Sequence, residues 1–403
     1  MNLYNPEEFV KHAIIKRNQS LFYNDLQAFG DELSSKIDGK SVLVIGGAGS
    51  IGSSYVKQIL NYHPRELVVV DHNENALTEL TRDLRSHYND VLPHQYFTYP
   101  IDYGSDLFEK LFDRYSFDII AHFAAHKHVR SERDILSIES MIINNVFHTF
   151  KLLDLCSQKP PGHFFAVSTD KATNPVNIMG ASKRLMEMSI LAFRGLYKVS
   201  TARFANVAFS NGSLLDGFLN RITKNQPISA PSDIRRYFVS AEESGQLCLL
   251  GSILSESGDI LYPVLQKSDM MSFSEIGQRL LEELGYKIDV CESEDEARLK
   301  SVLRKDGNKT YPVHFYKSDT SGEKEEEEFV SDGDEIITNK FQKIAIIRGT
   351  KTDKIEDIKS NISILDEAFK NPKLTKHDLV IILQQIVPEF SHLEVGKNLD
   401  QRL

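Results

Sequence analysis

The chain has 403 residues, 41% of them hydrophobic, enough for about two domains with a substantial core. Its formal net charge of -10, from 57 acidic and 47 basic residues, leaves no basic footprint, so no nucleic-acid partner is expected. Cys156, Cys248 and Cys291 stand far apart in or beside apolar segments, which argues against a disulfide framework or a zinc knuckle and for a reduced compartment.

No run approaches the ~18 apolar residues of a membrane span, and the first residues lack a signal peptide's basic and apolar regions, so a cytoplasmic protein is expected. Residues 1–39 read as an amphipathic helical prefix, with Phe9, Ala13, Ile14, Leu26, Phe29 and Leu33 as apolar positions, suited to an interface. From 40 to 205 strands and helices alternate. Val42-Leu43-Val44-Ile45 runs into Gly46-Gly47-Ala48-Gly49-Ser50-Ile51-Gly52 and a helix-like Tyr55–Leu60. Gly46, Gly49 and Gly52 have the spacing that lets backbone approach a pyrophosphate at a helix N-terminus. A second apolar run, from Glu66, ends in Asp71, the distance at which an acid binds adenosine ribose hydroxyls and favours NAD over NADP.

Further strands are expected at Tyr96–Ile101, Phe117–Phe123, His163–Ser168 and Val199–Phe204, an α/β alternation that implies a doubly wound parallel sheet. Asp102, after the first of these, either meets an adenine or N-caps the next helix. His122, His126 and His128 have no acidic or cysteine partner nearby in sequence, and no metal site is expected. Thr169, Asp170 and Lys171 emerge at the carboxyl end of the His163–Ser168 strand, where open α/β sheets bind ligands. Met179, Lys183, Met186, Ile190 and Phe193 share one face of the helix that follows. Lys183 among these apolar neighbours either snorkels or, given the glycine turn and Asp71, bonds a nicotinamide ribose and lowers the pKa of groups around it.

Residues 206–285 loosen into the loops of a substrate-binding lobe, and Ser272-Phe273-Ser274-Glu275 opens a helix as a capping box. Residues 286–350 form a charged insert, whose Glu323–Glu328 run reads as solvated surface or mobile loop and whose Tyr311–Lys317 stretch reads as a strand. Residues 351–403 form a helical extension, with helices over Ile355–Phe369 and His377–Ile386 that cap the fold or an oligomer interface.

The chain resembles the extended short-chain dehydrogenase/reductases, a Rossmann-type fold, and within them the nucleotide-sugar 4,6-dehydratases acting on UDP-N-acetylglucosamine in bacterial polysaccharide, flagellar and nonulosonic acid pathways. The resemblance rests on the glycine turn, on Ala124-Ala125-His126-Lys127-His128-Val129, on Asn144-Asn145-Val146 and on Ser168-Thr169-Asp170-Lys171-Ala172. It continues through Met179-Gly180-Ala181-Ser182-Lys183, Arg203-Phe204-Ala205-Asn206-Val207 and Arg235-Arg236-Tyr237-Phe238, over roughly residues 40 to 285. Ser318-Asp319-Thr320-Ser321-Gly322-Glu323-Lys324 is similar to the C-terminal extension of longer members.

The superfamily usually places tyrosine where this chain has Met179, and a thioether does no acid–base work. The same substitution occurs in a branch that retains configuration at sugar C5, so the resemblance implies that Asp170 and Lys171 carry the proton traffic. The implied cycle oxidises sugar C4 on NAD, removes the acidified C5 proton, expels the 6-hydroxyl and returns hydride at C6. Lys171 would take the C5 proton and Asp170 serve the 6-hydroxyl, or the reverse. Thr169 would bond the 4-oxygen, and Lys183 would hold the nicotinamide ribose. Gly46, Gly49, Ser50, Ile51, Gly52, Asp71, Asp102, Ala124 and Ala125 would line the NAD site. Lys127 and His128 would lie over the sugar; Asn206 and Arg236 would bind the diphosphate or make ordinary loop contacts. The resemblance also implies a homo-oligomer. An epimerase or reductase of the same fold, a GDP-linked substrate and a non-catalytic NAD-binding regulator remain as alternatives.

Overall fold

The computed structural model describes residues 5–305, 307–318, 324, 327–349 and 353–393. Apolar, β-branched runs become the central strands because both their faces are covered. β1 (Ser41–Ile45) is buried throughout, with Val42 and Val44 in the core on one side of the sheet and Leu43 and Ile45 in the core on the other. β2 (Glu66–Asp71), β3 (Gln95–Pro100), β4 (Ile119–His122), β5 (His163–Val167) and β6 (Val199–Ala202) join it in the order β3-β2-β1-β4-β5-β6, all parallel. This is the strand order of a dinucleotide-binding Rossmann sheet, whose switch point lies between β1 and β4.

The same sheet takes three more strands from far along the chain. Ile260–Pro263 pairs parallel with β6; Ile344–Arg348 and then Glu335–Ile337 add antiparallel at the edge. Residues 206–285 are therefore not all lobe, since the helix Ala241–Leu254 and the strand after it return to the main sheet. The charged stretch 286–350 is likewise divided. Thr310–Tyr316 pairs parallel with Lys287–Val290 and Ile228–Pro231 in a three-stranded lobe sheet, and the stretch's end feeds the main one.

The lobe has its own core, where Phe9, Val10, Ala13 and Ile14 pack with Phe218, Ile276, Leu280, Tyr311 and Val313. Within residues 5–39, which the sequence suits to an interface, the apolar positions pack inward: Phe9 is 1% exposed, and Leu33 and Ile37 lie under the main sheet with Leu26 and Phe29 partly buried beside them. A fourth core forms where the helices Ile355–Phe369 and Lys376–Ile386 cover the helix Ile178–Ala192. Among the described residues no helix is long and apolar enough to cross a membrane.

Candidate active site

Two adjoining cavities lie at the carboxyl ends of the parallel strands. The turn after β1 needs glycine: Gly46 has φ +73°, and a side chain there would stand 2.5 Å from the Ala124 amide nitrogen. At Gly52 a side chain would drive into the Gly46 carbonyl oxygen. The helix Ser50–Leu60 begins at Gly49 with no side chain capping its first amides, so these N–H groups and the positive helix end are available to an anion. Asp71 closes β2 at 9% exposure; one carboxylate oxygen accepts the Ala48 N–H at 3.1 Å, the other the Asn73 N–H at 3.0 Å. Each oxygen keeps lone-pair capacity for a ribose diol.

Gly46, Gly49, Asp71, Asp102, Ala124 and Ala125 line this first cavity, of about 360 Å³. Asp102 does not cap the next helix, whose N-cap is Ser105; it closes a turn on the Gly104 N–H at 2.8 Å. The site therefore fits a dinucleotide's adenosine and pyrophosphate: a glycine cradle, uncapped amides and a carboxylate facing one cleft.

The second cavity, of about 450 Å³, shares Gly46, Gly49 and Ala125 with the first. Ser50, Ile51 and Gly52 line it, with Thr169, Asp170, Lys171, Met179, Lys183, Lys127, His128 and Asn206. Thr169 caps the short turn Asp170–Ala172 and donates its hydroxyl to Asp170 Oδ1 at 2.7 Å. Lys171 Nζ donates to both Asp170 oxygens, at 3.1 and 3.3 Å. Burial alone would depress the Lys171 ammonium, but the Asp170 and Glu327 carboxylates outweigh it and hold its pKa above the usual lysine value.

Lys183 does not snorkel. It is 4% exposed, its Nζ donates to the Val167 carbonyl at 2.8 Å and touches Met186 Sδ at 3.1 Å, and burial pushes its pKa down to about 8. Met179 brings a buried thioether to the cavity while its backbone N–H donates to Glu132. The loop that carries Lys127 and His128 is anchored by Asn145, which accepts the His126 N–H at 2.8 Å and donates to the His126 carbonyl and to Ser182. Lys127 Nζ reaches the Asn211 carbonyl across the cavity mouth. His122 faces neither cavity; burial drops its pKa to about 3 and it bonds Thr149. Among the described residues no group of three or more His, Cys, Asp or Glu side chains is set to hold a metal.

Arg236 is not brought to the cavity wall. Its guanidinium donates to the Lys324 carbonyl at 2.8 Å and lies 3.8 Å from Glu327, while Glu327 also takes the Asn206 amide. The Glu327 side chain is 2% exposed, although its charge run points to solvated surface. Nothing in a row of glutamates marks which one turns inward; only the neighbouring Phe329, packed on Tyr237 and Tyr262, signals that the chain dips into the core here. Of the motif that opens at Ser318, residues 319–323 lie outside the described residues, as do 325 and 326 of the acidic run.

Residues 42–349 match the sequence profile of a family described as polysaccharide biosynthesis protein. A Bacillus subtilis protein described as probable polysaccharide biosynthesis protein EpsC is 30% identical over 261 residues, 63% of this chain; the chain covers only 42% of that relative's length. A Campylobacter jejuni UDP-N-acetylglucosamine 4,6-dehydratase (inverting) is 26% identical over 289 residues, 69% of this chain and 82% of that one. Among solved structures, Pen from Bacillus thuringiensis superposes with a TM-score of 0.64 at 19% identity, over 87% of this chain and 99% of its own, a likeness of fold.

Proposed function

Because the chain belongs to the polysaccharide biosynthesis protein family, whose matched region spans both cavities, we propose that it is an NAD-dependent nucleotide-sugar 4,6-dehydratase acting on UDP-N-acetylglucosamine. The observation that carries this reading is the Asp170–Lys171 pair at the end of β5, beside the buried Lys183 and a methionine in place of an acid–base tyrosine. NAD, when bound, supplies reversible oxidation of the sugar, first at C4 and in reverse at C6.

The protein's own groups do the rest. Asp71 binds the adenosine ribose, the first amides of Ser50–Leu60 bind the pyrophosphate, and Lys183 holds the nicotinamide ribose. With C4 oxidised, the C5 proton becomes acidic and a base can take it. The resting pair is an Asp170 carboxylate with a Lys171 ammonium, given the raised lysine pKa. We therefore assign Asp170 the C5 proton and Lys171 the donation to the departing 6-hydroxyl, which leaves as water. The opposite order first needs a proton passed from Lys171 to Asp170 across their 3.1 Å contact. As C6 is reduced, Asp170, its proton exchanged with solvent, protonates C5 on the face from which the proton left, and Lys171 regains from solvent a proton in place of the one the 4-hydroxyl released, which restores the pair. Met179 offers no proton on the sugar's other side, which favours retention at C5.

The test is a proton NMR time course with UDP-N-acetylglucosamine in deuterated buffer and no added reductant. A new sugar methyl signal with deuterium at C5 and no net NADH is the expected result, and ring couplings report the C5 configuration. Interconversion of 4-epimers without a methyl signal would replace this reading with an epimerase.

A further inference from the structure

Asp170 and Lys171 share their surroundings with a second buried carboxylate that the proton chemistry above leaves unused. Glu327 takes the Tyr237 N–H at 2.9 Å and the Asn206 amide, and Asn206 lines the same cavity as Thr169, Asp170 and Lys171. The short segment around it is fastened to both sides of that cavity. Lys324 donates to the Thr173 carbonyl at 2.6 Å, just past the catalytic turn, and its own carbonyl accepts from Arg236 in the lobe. Arg203 donates to the Phe329 carbonyl at 2.6 Å, and Phe329 stacks on Tyr262 with ring centroids 5.6 Å apart.

The described residues place several charges around Glu327. Arg236 stands off at 3.8 Å, Arg203 is matched by the Glu187 carboxylate at 2.9 Å, and Lys324 is matched by Glu328 at 2.9 Å. We propose that Glu327 is a positioning residue for the Asp170–Lys171 pair, holding Lys171 in its charged, proton-donating form; the assignment rests on the dehydratase reading. Burial, and next the Asp170 charge, push the Glu327 carboxyl up to about 7, so the cluster changes charge close to neutrality. Above that pH Lys171 gains a second carboxylate beside it and keeps its proton more tightly.

Lys171, about a third exposed, can be titrated chemically without any turnover. The pH dependence of its acetylation by acetic anhydride, followed by peptide mass spectrometry on the full chain, is compared in wild type, Glu327→Gln and Glu328→Gln. In Glu327→Gln the Lys171 pKa is expected to fall by about one unit, giving about tenfold faster acetylation between about pH 7 and that pKa, with Glu328→Gln like wild type. An unchanged Lys171 titration in Glu327→Gln overturns the proposal. Glu327→Asp, which keeps the charge but withdraws it by one methylene, gives the same decision if the glutamine variant fails to fold: a smaller fall supports the proposal and no change overturns it. In turnover, the alkaline limb of kcat/KM should move to lower pH in Glu327→Gln with KM unchanged, and a fixed limb counts against the proposal. A wild-type protein that makes no 4-keto-6-deoxy product removes the dehydratase reading alone, and the Lys171 titration still decides whether Glu327 holds its proton.

Discussion

Lys183 is an ammonium stationed where hydrocarbon would fit better. Its 4% exposure and lowered pKa of about 8 mean that the fold carries a penalty for keeping it charged. The unfolded chain binds its proton up to about pH 10.4. Between 8 and that value the unfolded state therefore holds more protons, so this group's contribution to stability rises with pH; below 8 the full penalty, about 3 kcal/mol, applies. Lys183→Met, flanked by Met179 and Met186 on the same helix face, should remove the penalty. Urea unfolding of both proteins at a series of pH values should show the variant's advantage shrinking from pH 8 to about 10.4, while its NAD affinity drops about tenfold or more. Parallel stability curves would mean that the lysine is not buried in solution. The lysine's place beside the cavity was legible in sequence because a helical stripe with one lysine, close behind a strand end, is a strong local pattern. Glu327 was not legible, because burial of one member of an acidic run is decided by contacts 90 to 157 residues away, with Asn206, Tyr237 and Asp170.

The helix Ile178–Ala192 meets the Asp170–Ala172 turn in a close approach and the chain after β6 in an ion pair. At Gly180 a side chain would strike the Lys171 carbonyl oxygen. Gly180→Ala should therefore shift the Asp170–Ala172 turn, lowering kcat about tenfold or more with little change in unfolding midpoint, since alanine's better helix propensity offsets part of the strain. Further along, Glu187 grips Arg203 at 3.0 and 2.9 Å, tying the helix to the chain just after β6. Burial would raise the Glu187 carboxyl, but the Arg203 guanidinium overrides it and holds it near 2. Its folded pKa thus lies below the unfolded value of about 4.3, so its stabilisation is complete above that pH and is lost as pH falls toward 2. Glu187→Gln should cost about 3–5 kcal/mol at neutral pH by stranding a buried guanidinium, and acid unfolding curves should converge with wild type below pH 4. The parallel strands β1 to β6 were readable because each lies in a short run of apolar, aromatic or β-branched residues between turns, while the parallel strand Ile260–Pro263 was hidden in the stretch read as loops of the lobe. The edge strands Ile344–Arg348 and Glu335–Ile337 were not readable, because the first pairs antiparallel with Ile260–Pro263 and the second antiparallel with the first, after a long excursion through the lobe.

Across the whole molecule the catalytic helix is braced from outside by segments remote in sequence. Residues 355–386 lay two helices over its outer face, where Leu365, Leu379 and Leu383 are fully buried against Ile178, Met179, Ala181 and Leu185. The backbone beyond them is stitched down by the Ser391 N–H on the Pro175 carbonyl at 2.9 Å and the Leu393 N–H on the Val176 carbonyl at 3.0 Å, just ahead of the helix. The face that the sequence left open, to a cap or to a partner, is thus covered by the chain's own helices. Leu383→Ala should lower global stability by about 2–5 kcal/mol through the cavity it leaves. The more telling consequence is where that loss falls. The brace packs mainly on the helix carrying Met179 and Lys183, whereas β1 to β3 are packed by other cores, which the brace meets through its first residue, Ile355. Native-state hydrogen exchange of Leu383→Ala should speed up over 178–192 while the amides of β1 and β2 keep their protection. Uniform acceleration through the Rossmann sheet would instead make the two helices part of a single cooperative unit, and the variant's loss of activity would then report global unfolding rather than a loosened catalytic helix.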